Sequence, residues 1–129
     1  MKTNLKLAIL FLFIIPSAYA TQECDLQAIS INNDNLPYYK MLTQKSLSQK
    51  ISLKEIHIIK VLNESEWVAI FMLTEISDPG VIFLKNNNFI DVWGGEVFPE
   101  DKASVLSWAK KIHMPDKLAH CFFESVVIK

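Results

Sequence analysis

From Trp67 to Leu73 the chain runs Trp-Val-Ala-Ile-Phe-Met-Leu without a polar residue. In a strand, successive side chains point to opposite faces, so an unbroken apolar run needs cover on both sides. The run is short for a helix. Asn63-Glu64-Ser65 precedes it and Ser77-Asp78-Pro79-Gly80 follows it, both turn-forming stretches. It therefore predicts a central strand in a sheet with a layer on each face. It also predicts a liability: exposed in an unfolded or reduced chain, this segment promotes aggregation.

The flanking segments supply the rest of the sheet. Glu55 to Leu62 is rich in β-branched residues, and Val81–Lys85 and Phe89–Trp93 are two further strands. Asn86-Asn87-Asn88 lies between the last two, and asparagine tolerates the left-handed backbone of a tight turn. Four strands joined by short turns make an antiparallel meander.

Helices are expected on either side of it. Asn32-Asn33-Asp34-Asn35 is turn-rich, and Pro37 fits the first turn of a helix through about Gln49. Pro99 opens a second helix, with Glu100 and Asp101 in its first turn and Lys110 and Lys111 near its end, both favourable to the helix dipole. Its apolar face is Val105, Leu106, Trp108, Ala109 and Ile112. Pro115 begins a shorter helix that buries Leu118, Ala119 and Phe122, and Phe123 to Ile128 reads as a last strand or an extended arm. The predicted fold class is α+β: an antiparallel four-stranded β-meander with an N-terminal helix and one or two C-terminal helices packed on it, held by one disulfide.

The first twenty residues follow a different logic. Lys2 and Lys6 precede the apolar run Leu7–Ile15, Pro16 and Ser17 break it, and Ala18-Tyr19-Ala20 places small residues at −3 and −1. This is the order of a cleavable signal peptide. The apolar run is too short to cross a bilayer core of about 30 Å as a helix. Residues 1–20 are thus read as a leader and 21–129 as a single α+β domain, exported to a periplasm or secreted, with no membrane span after cleavage. Cys24 follows Thr-Gln-Glu, which does not fit a lipid-anchoring site. The lysine- and asparagine-rich, arginine-free composition points to a bacterial host, where the glycosylation pattern Asn63-Glu64-Ser65 would be silent.

Cys24 and Cys121 are the two cysteines of the chain. In an oxidising compartment they predict one disulfide tying the first mature segment to the last helix. A reactive thiol is the alternative, but no Cys-x-x-Cys motif exists, and His120 beside Cys121 points elsewhere on a helix.

Composition narrows the function. Without Lys2 and Lys6, eleven lysines and fourteen acids give a formal charge of −3, and arginine is absent. Arginine is the usual fork for phosphate and guanine edges, so a nucleic-acid partner is not expected. His57, His113 and His120 show no ligand spacing, and no cofactor, metal or catalytic residue is assigned. An acid pair formed by Asp91 and Glu96 has no separation fixed by the sequence.

The segment least explained by folding alone is Asp91, Trp93, Gly94, Gly95, Glu96 and Phe98. Two of the three glycines are adjacent here, beside a tryptophan and two acids. Paired glycines allow close approach of another molecule, and tryptophan is a common interface anchor. The same residues would also serve a plain strand-to-helix turn. The expected function is a protein-binding module, such as an inhibitor or an envelope accessory factor, whose partner is another exported or envelope protein. The alternative is a small-ligand-binding or hydrolytic domain with a pocket between sheet and helix. Trp67, Phe71, Phe83, Trp93 and Trp108 would line that pocket, or else simply form the core.

Overall fold

The computed structural model describes residues 24–48 and 50–129; the expected leader and its cleavage point lie outside these residues. In chain order the elements are α1 (Leu36–Ser46), β1 (Ile56–Glu64), β2 (Trp67–Thr74), β3 (Ser77–Lys85), β4 (Asn88–Gly94), α2 (Lys102–Lys111) and α3 (Asp116–Val126). Single 3-10 turns at Leu53–Glu55 and Pro99–Asp101 lead into β1 and α2.

The four strands form one antiparallel sheet in the order β1-β2-β3-β4. Its turns follow from their residues. Asn86 and Asn87 both adopt positive φ, 51° and 63°. Two successive left-handed residues are what a hairpin turn matched to the strand twist requires.

Alternation along β2 sends Trp67, Ala69 and Phe71 to one face and Ile70 and Met72 to the other. On the first face they meet Val105 and Ala109 of α2 and Leu118, Phe122 and Phe123 of α3. On the second, Ile70 and Met72 join Val61, Ile82 and Leu84 beneath Leu42 of α1, with Ile29 and Ile31 alongside. The sheet is thus the middle of three layers, as the unbroken run requires. Asn32 and Asn35 exchange side-chain to backbone hydrogen bonds just before α1 and fix where it starts.

Cys24 and Cys121 form the expected disulfide, with Cα atoms 4.5 Å apart. It anchors the lead-in segment to α3. The Ile29 N–H donates to the Val61 carbonyl along the outer edge of β1, at 2.8 Å. No helix among the described residues is long and apolar enough to cross a membrane.

Several boundaries differ from expectation. Asn63 and Glu64 belong to β1, and that reversal is made at Ser65 and Glu66. Pro99, Glu100 and Asp101 form the 3-10 turn ahead of α2, not its first turn. Ser77-Asp78-Pro79-Gly80 is not a turn but the first half of β3; the reversal is made at Glu75 and Ile76. The register shifts between Met72↔Gly80 and Thr74↔Ser77, so Asp78 and Pro79 both oppose Leu73. Pro79 falls at this irregularity, where its missing N–H costs no ladder bond. Helix α1 ends at Ser46, short of Gln49. Helix α3 runs on through Phe123 to Val126, because Phe123 is buried on the same face as Ala119 and Phe122; only Val127 pairs in strand fashion, with Val97.

Candidate functional site

The residues from Asp91 to Phe98 separate into three environments. Asp91 and Trp93 lie on the sheet face beneath α2 and α3. The Trp108 Nε1–H donates to Asp91 Oδ2 at 3.1 Å. Trp93 is partly buried, its ring centroid 4.8 Å from that of Trp108 and 5.6 Å from that of Phe122. Its Nε1 is buried, with no hydrogen-bond partner among the described residues. Both side chains therefore pack into the α2–α3 layer. At the far end, Phe98 is exposed by 57 %, and its N–H donates to Asp101 Oδ2 at 2.9 Å, which shapes the turn into α2.

Between them the chain passes a cavity. Gly94 ends β4, Gly95 takes φ 86°, and Val97 bonds to the Val126 carbonyl beyond the end of the sheet. Gly95 and Glu96 form one wall of a cavity of about 410 Å³. Phe71 and Val81 floor it, Ile59 and Lys60 of β1 close one side, and Ser125 and Val126 of α3 lie over it. Asp78, Pro79 and Gly80 complete the β3 side. Of the six residues singled out between Asp91 and Phe98, the cavity thus gathers Gly95 and Glu96.

The cavity arises from a bulge and a helix end. Pairing passes from Ile58↔Met72 to Lys60↔Phe71, which leaves Ile59 as an extra residue. Beyond the bulge, Lys60, Phe71, Val81 and Trp93 form a cross-strand row on one face. The α2–α3 layer covers the Trp93 end of the row. At the Lys60 end only the last turn of α3 overhangs it.

Lys60 is half-buried there. Its Nζ donates to Ser125 Oγ at 2.6 Å and stands 4.5 Å from the Phe71 ring centroid. Burial holds the Lys60 ammonium below the ordinary lysine range, because desolvation disfavours the charged form. The aromatic face and the negative end of α3 offset part of that cost. Ser125 Oγ donates in turn to the Cys121 carbonyl at 2.7 Å. That bond commits the Ser125 hydroxyl proton to the backbone of α3. Among the described residues no group of three or more His, Cys, Asp or Glu is placed to hold a metal ion.

Trp67, Phe71 and Phe83 are buried, while Trp93 and Trp108 are partly buried against them. These aromatics are core, and Phe71 alone among them reaches the cavity. Lys60, Asp78 and Ser125 escaped sequence reasoning. The available signal was one charge, Lys60, inside the β-branched run Ile56–Leu62.

The opposite face offers a second feature. Helix α1 packs on β1 and β2 and reaches the β3–β4 turn through Tyr38, whose hydroxyl donates to Asn87 Oδ1 at 3.0 Å. On edge strand β4, Phe89, Ile90 and Val92 remain exposed by 46 %, 39 % and 47 %.

Compared with models of known protein families, with curated proteins and with solved structures, the chain matches none.

Proposed function

We propose that residues 21–129 form one exported domain, freed of the leader 1–20, that works as a non-catalytic binding module, with the cavity beside Gly95 and Glu96 as its site. One observation carries this reading: Lys60 is set into an apolar wall with its ammonium hydrogen-bonded only to a hydroxyl among the described residues. A desolvated charge is costly unless something neutralises it, and apolar cavities with a few convergent polar groups are where small ligands bind. The disulfide supports an oxidising compartment outside the cytoplasm. The test compares the oxidised protein with Ser125→Phe, which fills the cavity from its rim. A low-mass extract of the native envelope is expected to raise the melting temperature of the first and not of the second. An equal response in both would place the site elsewhere.

A protein partner is the second reading, favoured by the apolar side chains left exposed on β4. It keeps the expectation of an inhibitor or envelope accessory factor. Affinity capture with the oxidised protein beside Phe89→Glu/Val92→Glu tests it: loss of one captured partner in the variant supports it, and identical capture sinks it.

A further inference from the structure

The cavity has two poles. Lys60 stands at one, with its hydroxyl partner Ser125. Asp78 and Glu96 line the other and are exposed at the mouth. Lys60 lies on β1 and Asp78 on β3, with β2 between them. Lys60 pairs through Phe71 with Val81, and Asp78 lies farther along β3, opposite Leu73, so two inter-strand steps across the sheet and at least two residues along it put the poles about 12–14 Å apart. Between them the surface is apolar: Ile59, Phe71, Val81 and Val126. An ammonium has three donors, and Ser125 occupies one of those on Lys60, leaving two for a ligand.

A molecule that satisfies all of this carries a negative group, an apolar middle and a positive group about 12–14 Å away. An extended peptide of three or four residues with free ends has that form, since a chain advances about 3.3–3.6 Å per residue. A fatty acid answers Lys60 and the floor but leaves the two acids unmatched. A polyamine answers only the acids. We propose that the cavity binds short zwitterionic peptides of three or four residues, with the C-terminal carboxylate on Lys60, an apolar side chain over Phe71, and the α-amine at Asp78 and Glu96. Ser125 is a positioning residue: its oxygen accepts from Lys60 and aims the ammonium. This inference rests on the binding reading above and specifies its ligand.

The test is an amide-resolved NMR titration of the oxidised protein with a pool of tri- and tetrapeptides mixed at every position. The pool is used as free peptide, as C-terminal amide and as N-acetyl peptide, with octanoate as a further probe. The free pool is expected to shift the amides of Gly80, Gly95 and Glu96. Amidation, acetylation and Lys60→Met are each expected to weaken binding by about tenfold or more, the scale of one lost charge-assisted bond. Lys60→Met keeps an apolar stem over Phe71, and Asp78→Asn/Glu96→Gln, altered only at the exposed mouth, repeats the acetylation result without touching Lys60. If amide, acetyl and free pools bind equally, the zwitterionic assignment falls while the binding cavity stands. If octanoate binds as tightly as the free pool, the site is one for apolar anions and the peptide assignment falls. If neither the pools nor octanoate move any cavity amide, the binding reading falls with it.

Discussion

Phe122 is the side chain on which most of the aromatic layer converges. It is fully buried, and its ring lies 5.0 Å from Phe83, 5.6 Å from Trp93 and 5.8 Å from Trp108, centroid to centroid. Phe122→Ala would leave a cavity with rigid aromatic walls that cannot close on it. We expect a loss of about 3–5 kcal/mol in urea unfolding. Lys60 behaves in the opposite sense. Its ammonium is disfavoured by burial, so the folded protein binds that proton less tightly than the unfolded chain does. Stability therefore rises, through this group, as pH climbs from the depressed folded value towards that of an ordinary lysine. Carboxylate binding runs the other way, because it needs the charged form. Affinity for the N-acetyl pool, which has no titrating α-amine, should fall with rising pH earlier than an ordinary lysine would dictate, and the Lys60→Met variant should show no such titration. Persistence of the same alkaline loss in that variant would assign it to another group.

Strand β3 shows how a local signal and a global one compete. Asp78-Pro79-Gly80 is strong turn chemistry, yet the chain stays extended there. The bulge opposite Leu73 absorbs Pro79, and Gly80 lies so close to β4 that an added Cβ would stand 3.1 Å from the Trp93 carbonyl oxygen. The three glycines consequently differ. Gly80→Ala should push the β3 and β4 backbones apart, at a cost of about 1–3 kcal/mol. Gly95→Ala is strained by its φ of 86°, at about 1–2 kcal/mol. Gly94→Ala meets nothing within 4 Å and should be close to neutral. Thermal melts of the three variants check the order, and a destabilised Gly94→Ala would contradict it. The meander, the layers on both faces and the disulfide were legible because each follows from a local pattern: an apolar run, an asparagine turn, a pair of cysteines. The glycine pair drew attention to a segment of which Gly95 and Glu96 line the cavity. Lys60 and Ser125 were not legible, since 65 positions separate them and a β-bulge and the last turn of α3 bring them together. The extent of α3 was misjudged for a related reason: Phe123 to Val126 has a strand-like composition, and burial against the sheet overrides it.

On the scale of the whole molecule, the Cys24–Cys121 bond spans 97 positions and joins the lead-in segment to the α2–α3 layer. Cys121 is buried and Cys24 exposed, so a reductant can reach the bond from the Cys24 side. Replacing both by serine should cost about 2–4 kcal/mol, read as a lower urea midpoint. The two sheet edges are unequal. The β1 edge is engaged by Ile29, while among the described residues no strand pairs with the outer edge of β4, which carries apolar side chains with no lysine between Asn88 and Gly94. Lysine on an edge ordinarily discourages strand-to-strand association. Sedimentation of the oxidised protein across a concentration series should show Phe89→Glu/Val92→Glu associating less than the parent. The disulfide also alters what the backbone is as a connected object. From Cys24 to Cys121 the polypeptide is a closed covalent ring, and every element of the sheet and every helix up to Cys121 is threaded on it. A ring has no first element. Cutting the oxidised protein at the exposed Asn86–Asn87 turn would leave one connected molecule with all its strands still tethered, whereas the same cut after reduction would release two separate pieces.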